Sequence, residues 1–225
     1  MRLDPIQIRV LGALIEKEIV TPETYPLSLN ALLAACNQRS SRDPVLDLTE
    51  DEVRQALHTL EDMGLTAVVR DSRVPKYEHR ARTVLNLRRD ETALLCLLFL
   101  RGPQTPGELR ARADRLYSFD GLEGVESTLG RLTAASSGGE SSGAGLRPLV
   151  TVLPRQPGSR EARYAHLLGG PVEAAIRESG GEVRGAAATG STLAARIAEL
   201  EAEVAALRAA VARIEDRLES PGGSN

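Results

Sequence analysis

Seven cations between residues 39 and 82 are the side chains best suited to chemistry: Arg39, Arg42, Arg54, Arg73, Lys76, Arg80 and Arg82. That chemistry is the holding of phosphate oxygens, which a guanidinium meets as a planar fork and an ammonium as a point charge. Carboxylates are interleaved with them. From Gln38 to Arg82 eight basic residues stand against nine acidic ones, and the stretch Glu50 to Asp62 sets Glu50, Asp51, Glu52, Glu61 and Asp62 against Arg54 alone. The net charge of the whole chain is −3, so no global positive field draws it to a polyanion. Nucleic-acid contact therefore requires a fold that segregates the two signs, with Arg39 and Arg42 before the acidic stretch and Arg70, Arg73, Lys76, Arg80 and Arg82 after it. Arg101, Arg110, Arg112 and Arg115 form a second basic group further on.

Catalytic constellations are absent from the pattern. The sequence has no phosphate-binding glycine loop, no dinucleotide fingerprint, no HExxH and no paired CxxC, so neither an enzyme nor a cofactor or metal is expected. His58, His79 and His166 are scattered. The last two each follow a tyrosine by two residues, in KYEH and RYAH, which suggests a structural role in equivalent places. Glu16 and Glu18 are expected to be solvated helix charges rather than an acid–base pair. Cys36 and Cys96 lie in apolar stretches and are expected as reduced, buried thiols. The N-terminal residues lack an uninterrupted apolar run, and the longest such run, Ala93 to Leu100, is too short to span a bilayer. No membrane contact and a cytoplasmic location are the resulting expectations.

The elements that must position these residues repeat. Asp4-Pro5 caps a helix reaching about Glu18, Ser28 to Asn37 forms a second, and Thr49 with Glu52 opens a third that Gly64 ends. LTAVVRD reads as a strand, DSRVP as a turn and KYEHRARTVLNL as one or two returning strands. The order then recurs: ETALLCLLFLRG, apolar on nearly every face, then TPGELRARADRL, a helix striped by Leu122, Val125, Leu129 and Leu132, and the strands LRPLVTVLP and EARYAHLL. Leu57 to Leu129 is 72 residues and Tyr77 to Tyr164 is 87; the second half carries a Gly/Ser insertion from Ser136 to Gly145. Three helices followed by a β-hairpin is the winged-helix order. The expected fold is mainly α with small β-hairpins (α+β): winged-helix domains at 1–89 and 90–168, a linker at 169–190 and a coiled-coil helix at 191–219. In the first domain Asn30, Asn37, Gln38 and Arg42 suit either a hydrogen-bond network at the corner between the second and third helices or a recognition surface.

The C-terminal segment has its own period. Leu193, Ile197, Leu200, Val204, Leu207, Val211, Ile214 and Leu218 alternate spacings of four and three, a 3.5-residue repeat. Mostly β-branched a positions with mostly Leu at d favour a parallel two-stranded coil, and Arg196–Glu201 and Glu203–Arg208 would meet across it with opposite signs. A homodimer through this helix is the expectation; a helix folded back on its own chain is the alternative.

Four runs carry a family resemblance: Leu3 to Val45, Arg73 to Arg80 (RVPKYEHR), Arg101 to Arg112 (RGPQTPGELRAR) and Leu153 to Leu168. On these the chain resembles the YceH-like family of bacterial proteins. The resemblance implies tandem winged-helix domains and no reaction, cofactor or substrate. Two functions follow as expectations: a dimeric, regulator-like protein that binds double-stranded DNA, or a protein–protein scaffold that uses winged-helix modules without DNA.

Overall fold

A computed structural model describes residues 1–70, 73–134, 148–155 and 161–170, all within the unit Met1–Ser179. The insertion Ser136–Gly145, nearly all of the 169–190 linker and the coiled-coil helix with its residues from Leu193 to Leu218 lie outside the described residues. The described fold is α+β, mainly helical with two small antiparallel sheets.

Helix α1 (Pro5–Val20) starts where a capping box forms between Asp4 and Gln7, with proline at its first position. Every residue from Gln7 to Ile15 is buried, so α1 lies inside the molecule rather than on its surface. A 3₁₀ turn (Pro22–Thr24) leads to a two-residue strand β1 (Leu27–Ser28), helix α2 (Leu29–Cys36) and helix α3 (Glu50–Asp62). Thr49 and Glu52 form the capping box of α3. Gly64, at φ +72°, closes it: the Leu65 N–H donates to the Leu60 carbonyl (2.8 Å) and that of Gly64 to Glu61 (2.8 Å). Strands β2 (Thr66–Val69) and β3 (Lys76–His79) follow as an antiparallel hairpin with Val69 opposite Lys76. β1 pairs with the other edge of β3, Leu27 opposite Tyr77, giving the order β1-β3-β2.

The second round has α5 (Arg89–Arg101), α6 (Pro106–Ala113), α7 (Leu122–Thr133), β4 (Val150–Val152) and β5 (Tyr164–His166). Its register copies the first. Gln104 forms an antiparallel bridge with Tyr164, in the place where Leu27 meets Tyr77. All ten residues from Glu91 to Leu100 are buried, as the apolar run predicts. The two buried helices α1 and α5 pack on each other at Gly12, where a Cβ would stand 2.9 Å from Leu100 Cδ2 and 3.0 Å from Phe99 Cβ. The Cys96 thiol donates to the Gly12 carbonyl at 3.5 Å in the same contact. Cys36 and Cys96 are both free and buried.

Several boundaries differ from the sequence reading. The returning strand ends at His79, and Ala81–Val84 is a short helix, α4, placed between β3 and α5. Thr83 and Val84 suggest extended chain, but burial of Ala81 and Leu85 on one face, four residues apart, favours the helical turn. Among the described residues of LRPLVTVLP, β4 covers three, and Leu122, counted in the buried stripe of α7, is 44% exposed.

A candidate nucleic-acid interface

The hairpin carries the basic residues outward. β3 extends from the turn with Arg73 exposed and Lys76 half-buried, and Arg80 and Arg82 beyond its end are exposed. Arg80 Nε lies 3.5 Å from Glu78 Oε1, whereas Arg73, Lys76 and Arg82 have no carboxylate within ion-pair distance among the described residues. Arg39 is exposed in the loop after α2.

Helix α3 presents the opposite sign. Val53, Ala56, Leu57 and Leu60 face the core, which leaves Glu50, Asp51, Glu52, Arg54, Gln55, His58, Glu61 and Asp62 exposed. Arg54 is held by Glu50 one turn earlier. The outward side of α7 is similar, with Glu123 and Glu126 exposed, and its Arg131 is held by Asp90 and Glu91. Neither helix keeps an unpaired cation among the described residues.

Arg42 does not belong to the surface group, and this corrects its assignment as a phosphate contact. Its side chain is 0% exposed. Nη2 donates to Glu16 Oε2 (2.7 Å), the Ala35 carbonyl (2.8 Å) and Gln38 Oε1 (2.9 Å); Nη1 reaches Glu16 Oε1 (3.2 Å) and Nε the Ala35 carbonyl (3.1 Å). Asn37 completes the corner: its amide donates to the Leu48 carbonyl (2.8 Å) and accepts from the Leu48 N–H (2.9 Å). The hydrogen-bond network expected of Asn37, Gln38 and Arg42 is therefore present, with Asn30 exposed and outside it. Glu16 and Glu18 are also corrected: the first is the counter-ion of Arg42, and the second accepts from His79 Nε2 at 2.8 Å.

Sequence reasoning missed Arg9. It is 3% exposed and donates to the carbonyls of Cys36 (3.1 Å) and Pro44 (2.6 Å), with desolvation and then the nearby Arg42 charge lowering its pKa. Spacing on α1 could not reveal this, since an arginine beside apolar residues reads as a solvent-facing position. Also missed were Arg88 and Arg89, both exposed, at the entry to α5.

The paired histidines do stand in matched places. His79 donates its backbone N–H to the Tyr25 hydroxyl (2.6 Å), and burial lowers its pKa, partly opposed by Glu18. His166 meets Phe99 edge-on at 5.1 Å, and burial pushes its pKa down to about 4. The Cys36 thiol is pushed up to about 12 by burial, so it is not a nucleophile at neutral pH.

The basic arginines of the second half are largely engaged. Arg110 pairs with Asp114 (2.6 Å), Arg112 donates to Gln104 Oε1 (2.6 Å), and Arg163 reaches the Pro103 carbonyl (2.8 Å) and Glu108 (3.3 Å). Arg101 and Arg115 make no such pair among the described residues.

A family model described as "Protein of unknown function, DUF480" matches residues 3–159, and so covers both helical rounds up to the second hairpin. The chain belongs to the DUF480 family. Its curated relatives are UPF0502 proteins, consistent with the YceH-like resemblance. One from Koribacter versatilis is 53% identical over 203 residues, spanning 90% of this chain and 88% of the relative. Another from Solibacter usitatus is 47% identical over 210 residues (93% and 94%), and one from Pseudomonas syringae 44% over 219 (96% and 93%). Among the described residues of this DUF480 chain, no helix is long and apolar enough to cross a membrane.

Proposed function

We propose that this DUF480 chain is a non-catalytic protein of two winged helices that holds double-stranded DNA by its phosphate backbone through the β2–β3 hairpin. The observation that carries the proposal is the segregation of charge in the first repeat. The cations Arg70, Arg73 and Lys76 lie on the hairpin, while the exposed face of α3 is acidic and its one arginine is neutralised by Glu50. A winged helix that reads bases puts its third helix in the major groove, and carboxylates close to the phosphates would oppose that. Contact from the hairpin avoids the repulsion and makes binding tolerant of sequence and sensitive to salt. The C-terminal heptads support a homodimer, which would present two such hairpins to one duplex.

Anisotropy of a labelled duplex titrated with the full chain at several salt concentrations tests this. Binding that weakens with salt, and weakens further in Arg73→Ala/Lys76→Ala, is expected. Affinity that the double substitution leaves unchanged would contradict it.

A second reading has its own observation, the acidic face of α3, which suits a basic protein surface. Under that reading the chain is an interaction scaffold, and a stoichiometric partner would be lost on Glu61→Lys/Asp62→Lys. Fold alone does not decide between the two.

A further inference from the structure

We infer that the α4 turn is a second phosphate-holding element, in which Arg82, Arg88 and Arg89 grip the backbone of a DNA duplex across one groove from Lys76 of the hairpin. The inference rests on the duplex-binding reading above and extends it to residues outside the hairpin. Between Lys76 and Arg89 the chain has five cations (Lys76, Arg80, Arg82, Arg88 and Arg89) and one carboxylate, Glu78, which pairs with Arg80. Arg82, Arg88 and Arg89 are exposed and make no ion pair among the described residues.

The backbone brings these three arginines together. α4 closes with Asn86 in the left-handed region at φ +50°; the Leu87 N–H donates to the Arg82 carbonyl (2.8 Å) and the Asn86 N–H to Thr83 (3.3 Å). This six-to-one closure turns the chain back and sets the backbone of Leu87 against that of Arg82, so Arg88 and Arg89 follow directly on the turn that Arg82 opens, a short basic ridge. Leu85 anchors the turn in the core, and the Arg88 N–H donates to Glu91 Oε2 at 2.9 Å to start α5. The ridge is therefore held by buried and hydrogen-bonded groups, while its three guanidinium groups remain unpaired.

Position relative to the hairpin decides the ligand. β3 (Lys76–His79) sets Lys76 and Arg80 four residues apart, about 13 Å at the usual rise of a strand, and the ridge begins two residues further on at Arg82. The major groove of a duplex is about 12 Å wide, close to the length of β3, so Lys76 at one end of the strand and the ridge beyond its other end can meet phosphates on the two rims. A duplex offers that spacing along its whole length.

The test compares two variants of the full chain by anisotropy of a labelled duplex between about 50 and 200 mM salt, a range over which counterion release is large. Arg82→Ala/Arg88→Ala/Arg89→Ala should lower the slope of log affinity against log salt by about 2 to 3, at roughly 0.9 per lost phosphate contact. The corresponding triple lysine variant, which keeps the charges, should restore most of the slope; this separates lost contacts from a damaged fold. If the wild type binds, the hairpin variant lowers the slope and the ridge variant does not, the ridge is not a contact while the duplex-binding reading stands. If the wild type does not bind duplex at all, the reading fails and the ridge with it.

Discussion

Arg42→Ala separates a structural arginine from a binding one. The wild-type guanidinium is fully enclosed and makes six hydrogen bonds, to Glu16, Ala35, Gln38 and the Ser41 carbonyl. Alanine leaves the Ala35 carbonyl and the Glu16 carboxylate, whose side chain is only 12% exposed, without their main partner. Breaking a buried pair from one side costs about 3–5 kcal/mol. Lys17, 3.8 Å from Glu16, retains some compensation, which puts the expected loss at the lower end, about 3 kcal/mol. That corresponds to a fall in Tm of roughly 6–12 °C for a unit of this size. Urea unfolding followed by circular dichroism gives the free energy. Adding Glu16→Gln to Arg42→Met should recover much of the loss, because both charges then leave together. Stability within about 0.5 kcal/mol of wild type, the range of an ordinary surface substitution, would refute the buried-network account.

Three further outcomes are expected. Gly12→Val should destabilise the chain by more than about 2 kcal/mol, since overpacking against Leu100 and Phe99 outweighs the modest gain from removing a helical glycine; an unchanged Tm would mean that α1 and α5 do not meet there. Asn37→Ala should cost about 1–3 kcal/mol by orphaning both polar groups of Leu48, with Asn37→Asp, which keeps only the acceptor, in between on urea unfolding. His166 is neutral when folded, with a pKa about 4 against about 6.5 unfolded, so its contribution is complete above pH 6.5 and declines as pH falls towards 4. Between pH 7 and pH 5 the wild type should therefore lose about 2 kcal/mol more than His166→Leu, and equal losses would place His166 in contact with water.

Much of the fold was legible because it is written in local chemistry. Asp4-Pro5, Thr49 with Glu52, Thr105 with Glu108, and Gly64 are capping signals that act within a few residues, and each stands where a helix begins or ends. The KYEH and RYAH pairing was legible as a repeat, and Tyr77 and Tyr164 occupy matched register positions. Long-range contacts were not. Nothing near Arg42 in the sequence announces Glu16, 26 residues earlier, or explains why its charge is enclosed while that of Arg39 is exposed. The α4 turn is hidden in the sequence because Thr83 and Val84 favour extended chain locally, and only the burial of Ala81 and Leu85 reverses that preference. The acidic third helix was visible in the composition; the neutralisation of Arg54 by Glu50 became clear only in three dimensions.

The most direct test of the central claim is a comparison of duplex affinity at one low salt concentration for Arg73→Ala/Lys76→Ala and for Glu61→Gln/Asp62→Asn. If the hairpin holds the phosphates and α3 faces away from them with its carboxylates, the first variant binds more weakly and the second binds as tightly as wild type or more tightly. The reverse order, with hairpin cations dispensable and α3 carboxylates required, would contradict the account.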